Sequence, residues 1–294
     1  MNKIDKIRFK LIEAAERGAI KLFKRIENKF LRELLEELEN ILTISDNVVE
    51  ATTANIVNLH KLGFFVDKFR KKNAPSIVKW FARKFITLAK INATYFTDYD
   101  LKDAEKRITK EVLKEYGVKI GDKGVSVTKY SFLDQITKYD DVYEGVRAAA
   151  SNAISQGMDI QSFKKMIKET VQPDGKYGKI VNNFYTKAND TFSRFDRNVQ
   201  HKYAVKLDLR AFLYSGGTVK SSRDFCRERN AKVFTIEEGE AWRNLEWQGK
   251  NKNYNPEQDM GGHNCRHFRR YLGKKEAIRR RPDLESYFEN LEDA

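Results

Sequence analysis

The residues of this chain best suited to chemistry are both of its cysteines and two of its four histidines: Cys226, His263, Cys265 and His267. Two Cys and two His make a legitimate tetrahedral zinc set, because the ion takes thiolate sulfur and imidazole nitrogen as ligands. Their spacing limits how they can converge. His263, Cys265 and His267 alternate, so on a strand they share one face, with about 6.5 Å between neighbours at ~3.3 Å per residue. Two of them can then share a metal with Cys226, whereas all three require a bend, which Gly261 and Gly262 would permit. A Cys-x-x-Cys pair is absent. Three readings stay open: buried thiols acting as small hydrophobes, a zinc site on Cys226, His263, Cys265 and His267, and a disulfide between Cys226 and Cys265.

Catalytic readings are thinner. Cys226 and His263 could be paired as nucleophile and base, but so could any Cys and His in a small module. A metal-dependent nuclease would need carboxylates at matching spacing, and Asp259 alone does not supply them. Arg223 and Arg266 each stand close to a cysteine in a glycine-bounded segment, with Asp224 beside the first. A buried Arg–Asp pair that pins two loops would account for arginine rather than lysine, through its forked donors; phosphate contact is the functional alternative. Trp242 and Trp247 read as core rather than as stacking platforms. Glu237, Glu238 and Glu240 suit the start of a helix carrying Trp242, where acids complement the dipole.

About two hundred residues of helix-like sequence precede this stretch and must position it. Residues 3–43 place Ile4, Ile7, Leu11, Ala15, Ala19, Leu22, Ile26, Phe30, Leu34, Leu38 and Ile41 at steps of three or four, one continuous apolar stripe. Such a stripe suits an intramolecular bundle and is also long enough to pair with a second copy of the chain. Ser45 and Asp46 can cap the next helix. Further helices are predicted over 52–71 and 76–96, separated by a break at Pro75, then from Tyr99 to about 116. Val118–Val127 reads as a small hairpin around Gly121 and Gly124 or as a mobile loop, and helices resume at 129–137, 139–156 and 159–171, with Gly157 ending one and Asp159 capping the next. Pro173-Asp-Gly175-Lys marks a boundary, and one long helix is predicted over 179–214. The fold class expected is mainly α, with a small α+β module. The corresponding regions are a helical scaffold over 1–172, a connecting helix over 173–214, the Cys/His/Trp module over 215–272 and a basic-then-acidic tail over 273–294.

The formal net charge is +14, from 56 Lys and Arg against 42 Asp and Glu, and points either to an acidic partner (nucleic acid, an anionic membrane surface or an acidic protein) or to a Lys-rich solvated surface. Positive charge concentrates in Arg266, Arg269, Arg270, Lys274, Lys275, Arg279, Arg280 and Arg281. Behind them come Asp283, Glu285, Glu289, Glu292 and Asp293. Either this is a phosphate-binding surface with its own intramolecular competitor, or a solvated helix with a frayed end. The N-terminus lacks a signal-peptide pattern and no apolar run reaches the roughly 18 residues of a membrane span, so synthesis in a cytoplasm and no membrane partner are expected.

Three strings together resemble the C-terminal part of the Mu F-like minor head proteins of tailed bacteriophages, also called head morphogenesis proteins. They are Ser222-Arg223-Asp224-Phe225-Cys226, Ala231-Lys232-Val233-Phe234 and Gly262-His263-Asn264-Cys265-Arg266-His267. The segment Asn152-Ala-Ile-Ser-Gln-Gly157-Met-Asp-Ile is similar to that family's helix–Gly–helix step. The resemblance spans roughly residues 145–272. Two positions depart from it: Arg229 stands where many relatives have a second Cys, and His267 where many end Cys-Arg-Cys. The resemblance implies a structural virion protein that docks to the portal or the inner capsid wall and contacts packaged DNA. No enzymatic activity is implied, no cofactor is required, and zinc remains an option on the four residues named. A metal-dependent nuclease is the alternative.

Overall fold

The computed structural model describes residues 3–97, 102–121, 124–173, 177–188 and 190–292. It is mainly α-helical with small antiparallel sheets, as the periodicity predicts. Several expectations fall outside the described residues: the helix start at 99–101, the turn residues 122–123, the turn at 174–176 and Asp293.

Helix α1 (Lys3–Ile41) is one continuous helix; Ala15, Ala19, Ile26, Phe30, Leu34, Leu38 and Ile41 of the predicted stripe are buried, whereas in its first turns Ile7 is exposed and Asp5, Arg8 and Ile12 are buried instead. A hairpin comes next, β1 (Ile44–Ser45) with β2 (Val48–Val49). Asp46 and Asn47 both take positive φ, 50° and 62°, the type I′ geometry that suits a two-residue hairpin. Ser45 and Asp46 therefore form a strand end and a turn rather than a cap. Thr52 takes the capping role, accepting from the Asn55 N–H at 3.2 Å to open α2 (Thr53–Asn58).

Helix α3 (Lys61–Ala93) runs straight through Pro75, where a break was expected. Proline inside a helix removes one hydrogen bond and costs about 3 kcal/mol. Here the apolar residues on both sides hold the helix together: Phe69, Ile77, Val78 and Phe81 are all buried. Polar side chains also rebind the local backbone. The Asn73 amide donates to the Phe69 carbonyl at 2.7 Å, and the Ser76 hydroxyl to the Asn73 carbonyl at 2.8 Å.

Then come α4 (Lys102–Glu115) and the expected hairpin of β3 (Val118–Gly121) and β4 (Gly124–Val127). Helices α5 (Phe132–Ile136), α6 (Asp140–Ser155) and α7 (Ile160–Val171) are next; Gly157 is left-handed and Asp159 caps α7 through the Gln161 and Ser162 N–H groups. The long helix expected over 179–214 is instead α8 (Lys179–Ala188), α9 (Thr191–Lys206) and strand β5 (Ala211–Ser215). Residues 211–214 are buried in succession, and a short apolar run of that kind looks the same on a helix as on the middle strand of a sheet. The chain ends with α10 (Asp224–Arg229), β6 (Val233–Thr235), α11 (Ile236–Ala241), α12 (Pro256–Asp259), β7 (Phe268–Leu272), α13 (Lys274–Arg280) and α14 (Leu284–Glu292).

These elements form two compact units that cross the expected region boundaries. One is Ala14–Arg83 with Glu115–Asn189; the other is Met1–Glu13, Lys84–Lys114 and Asp190–Ala294. The core of the first is aromatic. Phe23 stacks on Phe184 at 4.3 Å, and Phe30 meets Phe69 edge-on at 5.1 Å. Glu27 is drawn into it to accept from the Ile180 and Val181 N–H groups at the start of α8, at 2.9 and 3.1 Å; burial raises its carboxyl pKa despite those bonds.

The second unit is built on a three-stranded antiparallel sheet, β6-β5-β7, with Phe212 opposite both Phe234 and Tyr271. Alternation along β5 sends side chains to two cores. Ala211 and Leu213 join Val233, Leu272, Ala277, Leu284 and Phe288 on one face. Phe212 and Tyr214 join Phe225, Cys226, Trp242, Met260 and Cys265 on the other. The expected tail thus belongs to the module: Leu284 and Phe288 of α14 are buried, and the Tyr287 hydroxyl donates to Glu237 at 2.7 Å. Helix α9 packs on β7 and carries aromatic contacts of its own, with Phe85 stacked on Phe195 at 4.3 Å and Phe96 on Tyr203 at 4.8 Å.

Candidate functional site

The polar centre of the Phe212/Tyr214 core is Cys226, Cys265 and His267. Cys226 is carried by α10; Cys265 and His267 lie on the extended approach to β7. The two sulfurs are 3.9 Å apart, His267 Nδ1 is 3.5 Å from Cys265 Sγ, and the three residues are 2%, 3% and 5% exposed. The Tyr214 hydroxyl donates to Cys226 Sγ at 3.3 Å and sits 4.0 Å from Cys265 Sγ. The contact with Cys226 pulls the Cys265 thiol below its ordinary pKa, and the same contact together with burial pushes the Cys226 thiol up.

His263, the fourth residue of the expected zinc set, is elsewhere. Gly262 (φ 93°) and Asn264 (φ 58°) turn the backbone on either side of it, so the strand-like alternation begins only at Cys265. Its imidazole is 58% exposed, with Nδ1 3.9 Å from Asp190. The turn is enforced by crowding. A Cβ at Gly261 would lie 2.3 Å from Cys226 Sγ, and one at Gly262 2.1 Å from the Gly249 carbonyl oxygen. The Gly261 N–H donates to Cys265 Sγ at 3.2 Å.

The expected loop-pinning pair also takes a different form. Asp224 is exposed and binds Arg227, not Arg223. Arg223 does pin two segments, but through a backbone carbonyl: it donates to His263 O at 2.6 Å while Gly249 packs on its guanidinium. Arg266 is exposed and reaches Ser193 Oγ at 3.3 Å. Trp242 is buried at the centre of the aromatic cluster. Trp247, half-buried, stacks on Phe225 at 4.0 Å and donates from its indole nitrogen to Gly261 O at 3.0 Å, so it packs against the core that Trp242 fills. Thr235 and Glu238 form a capping box on α11, which leads into Trp242 as expected.

Two groups that the sequence reading missed hold this site. Arg197 of α9 donates to the carbonyls of Gln258 at 2.6 Å, of His267 at 2.9 Å and of Cys265, three acceptors that only a forked side chain can reach at once. Nearby, Arg8 is buried against Asp196, which also accepts from the Asn92 amide at 2.8 Å. An arginine in the middle of a basic helix carries no sequence mark that separates it from its solvated neighbours.

The basic block divides by environment. Arg269 is 2% exposed beneath Phe212, 3.6 Å from Glu240, and so is core rather than phosphate-facing. Arg279 and Arg280 bind Glu276, and Arg281 binds Glu238 and Asp283. Lys274, Lys275 and Arg266 are exposed and Arg270 is half-buried. Among the described residues no helix is long and apolar enough to cross a membrane. Comparison of the chain with protein-family models, curated proteins and solved structures finds no match in any of the three.

Proposed function

We propose that the chain is a minor head protein of a tailed bacteriophage, docking to the portal or inner capsid through its helical faces and contacting packaged DNA. One observation carries the reading. The three strings that resemble the Mu F-like family, 222–226, 231–234 and 262–267, are distant in sequence but meet around β5. Cys226 and Cys265 touch within the Phe212/Tyr214 core, Phe234 pairs with Phe212 and packs against that same core, and Arg223 binds His263 O. A set of motif positions that share one core is what a structural module requires.

The charge supports a polyanionic partner: +14 overall, with Arg266, Lys274 and Lys275 exposed on the C-terminal unit. The nuclease alternative draws little from this site. Cys226, Cys265 and His267 are buried within the aromatic cluster, where a phosphodiester has no access, and the side-chain oxygen bonded to Cys226 is the Tyr214 hydroxyl, not a carboxylate.

Co-expression with the neighbouring head genes, followed by gradient purification of the particles, tests the proposal. The chain is expected in the assembled heads at a fixed ratio to portal. Heads of normal composition that exclude it would overturn the reading.

A further inference from the structure

We propose that Cys226, Cys265 and His267 bind one zinc ion that ties α10 to the approach of β7, with the Tyr214 hydroxyl closing the fourth side. With zinc–sulfur bonds of about 2.3 Å and a zinc–nitrogen bond of about 2.0 Å, tetrahedral geometry separates two ligand sulfurs by about 3.8 Å and a sulfur from a nitrogen by about 3.5 Å. Here the two sulfurs are 3.9 Å apart and Cys265 Sγ is 3.5 Å from His267 Nδ1, and the three ligand atoms all lie within 4.8 Å of one another. An oxygen ligand would stand about 3.5 Å from each sulfur; Tyr214 Oη is at 3.3 and 4.0 Å.

The surroundings fit the same ion. Two thiolates around a divalent cation give a neutral buried centre. Sulfur and imidazole select a soft or borderline metal over magnesium or calcium. The Gly261 N–H bonds Cys265 Sγ, and Arg197 clamps the carbonyls of Cys265 and His267, which fixes both ligands from behind. Ligands only 2–5% exposed make the site structural rather than catalytic, and His263, 58% exposed and turned toward Asp190, has no part in it. This inference does not depend on the head-protein reading.

The test is elemental analysis and intact mass of the full chain purified under reducing conditions, with cobalt exchanged for zinc as a spectroscopic probe. About one zinc per chain is expected, with both thiols reduced and with cobalt showing thiolate charge-transfer and tetrahedral d–d bands. Cys265→Ser should lose the metal and His263→Ala should keep it. If Cys265→Ser does not fold, the wild-type chain decides: refolded without metal, it should gain thermal midpoint on adding equimolar zinc. A folded wild-type chain that takes up no zinc and whose midpoint ignores both zinc and chelator would overturn the proposal. So would a Cys226–Cys265 disulfide in protein isolated from cells, or loss of metal in His263→Ala.

Discussion

Arg197 Nε donates to the carbonyl of His267 at 2.9 Å, so a helix side chain fixes the backbone at the residue where the Cys/His segment becomes strand β7. The same guanidinium holds Cys265 O and Gln258 O. Arg197→Met would leave three carbonyls without their donor, at about 1–3 kcal/mol for each that water cannot reach. We expect a total loss of about 3 kcal/mol or more in denaturant unfolding, with Arg197→Lys recovering less than half because a single ammonium cannot span the three acceptors. Full recovery by lysine would show that charge alone matters.

Arg8 and Asp196 form a buried pair, each 3% exposed. Arg8 also pairs with the buried Asp5 at 3.2 Å, so it is removal of the arginine that leaves Asp196 a buried carboxylate without its countercharge, and Arg8→Met should cost about 3–5 kcal/mol. Asn92→Ala, which removes a single neutral donor to Asp196, should cost about 1 kcal/mol. Urea titrations of the two variants measure the difference.

Glu257 accepts from His201 Nε2 at 3.0 Å, and that bond lowers its carboxyl pKa below 4.5 against the opposing effect of burial. A depressed carboxylate stabilises the fold above its unfolded pKa, and that contribution is lost as pH falls through the folded value. Unfolding free energy should therefore drop below pH 4.5, and Glu257→Gln should flatten this part of the profile. An identical acid limb in the variant would exclude Glu257 as a source.

Pro75 lies within α3, where its missing N–H leaves a gap in the hydrogen-bond ladder. Pro75→Ala restores that donor and should stabilise the protein by about 1–3 kcal/mol. A lower thermal midpoint would mean that the proline ring's own packing outweighs the ladder.

Periodicity carried the reading wherever one face of a helix is buried: α1, α6 and α7 lie where the apolar spacing puts them, and the β3–β4 hairpin where its glycines do. It failed where tertiary burial overrides a local signal. Pro75 stops a helix on its own, but not one buried on both sides of it; residues 211–214 continue a helical rhythm yet fill the middle strand of a sheet. At the site, Cys226, Cys265 and His267 were legible as residue types, and the i, i+2 spacing placed the last two on one side. His263 was misplaced because the left-handed turns at Gly262 and Asn264 are invisible to spacing. Arg269 was read as surface because charge in sequence says nothing of depth, and it is buried beneath Phe212.

The head-protein assignment is tested most directly by pulldown of the purified chain against the portal protein encoded beside it, at low and at high salt. Apolar helix faces predict binding that survives high salt, since screening weakens charge contacts and leaves apolar burial intact. No binding to portal or capsid, together with tight and salt-sensitive DNA binding, would contradict the assignment, and metal-dependent cleavage of that DNA would replace it with the nuclease.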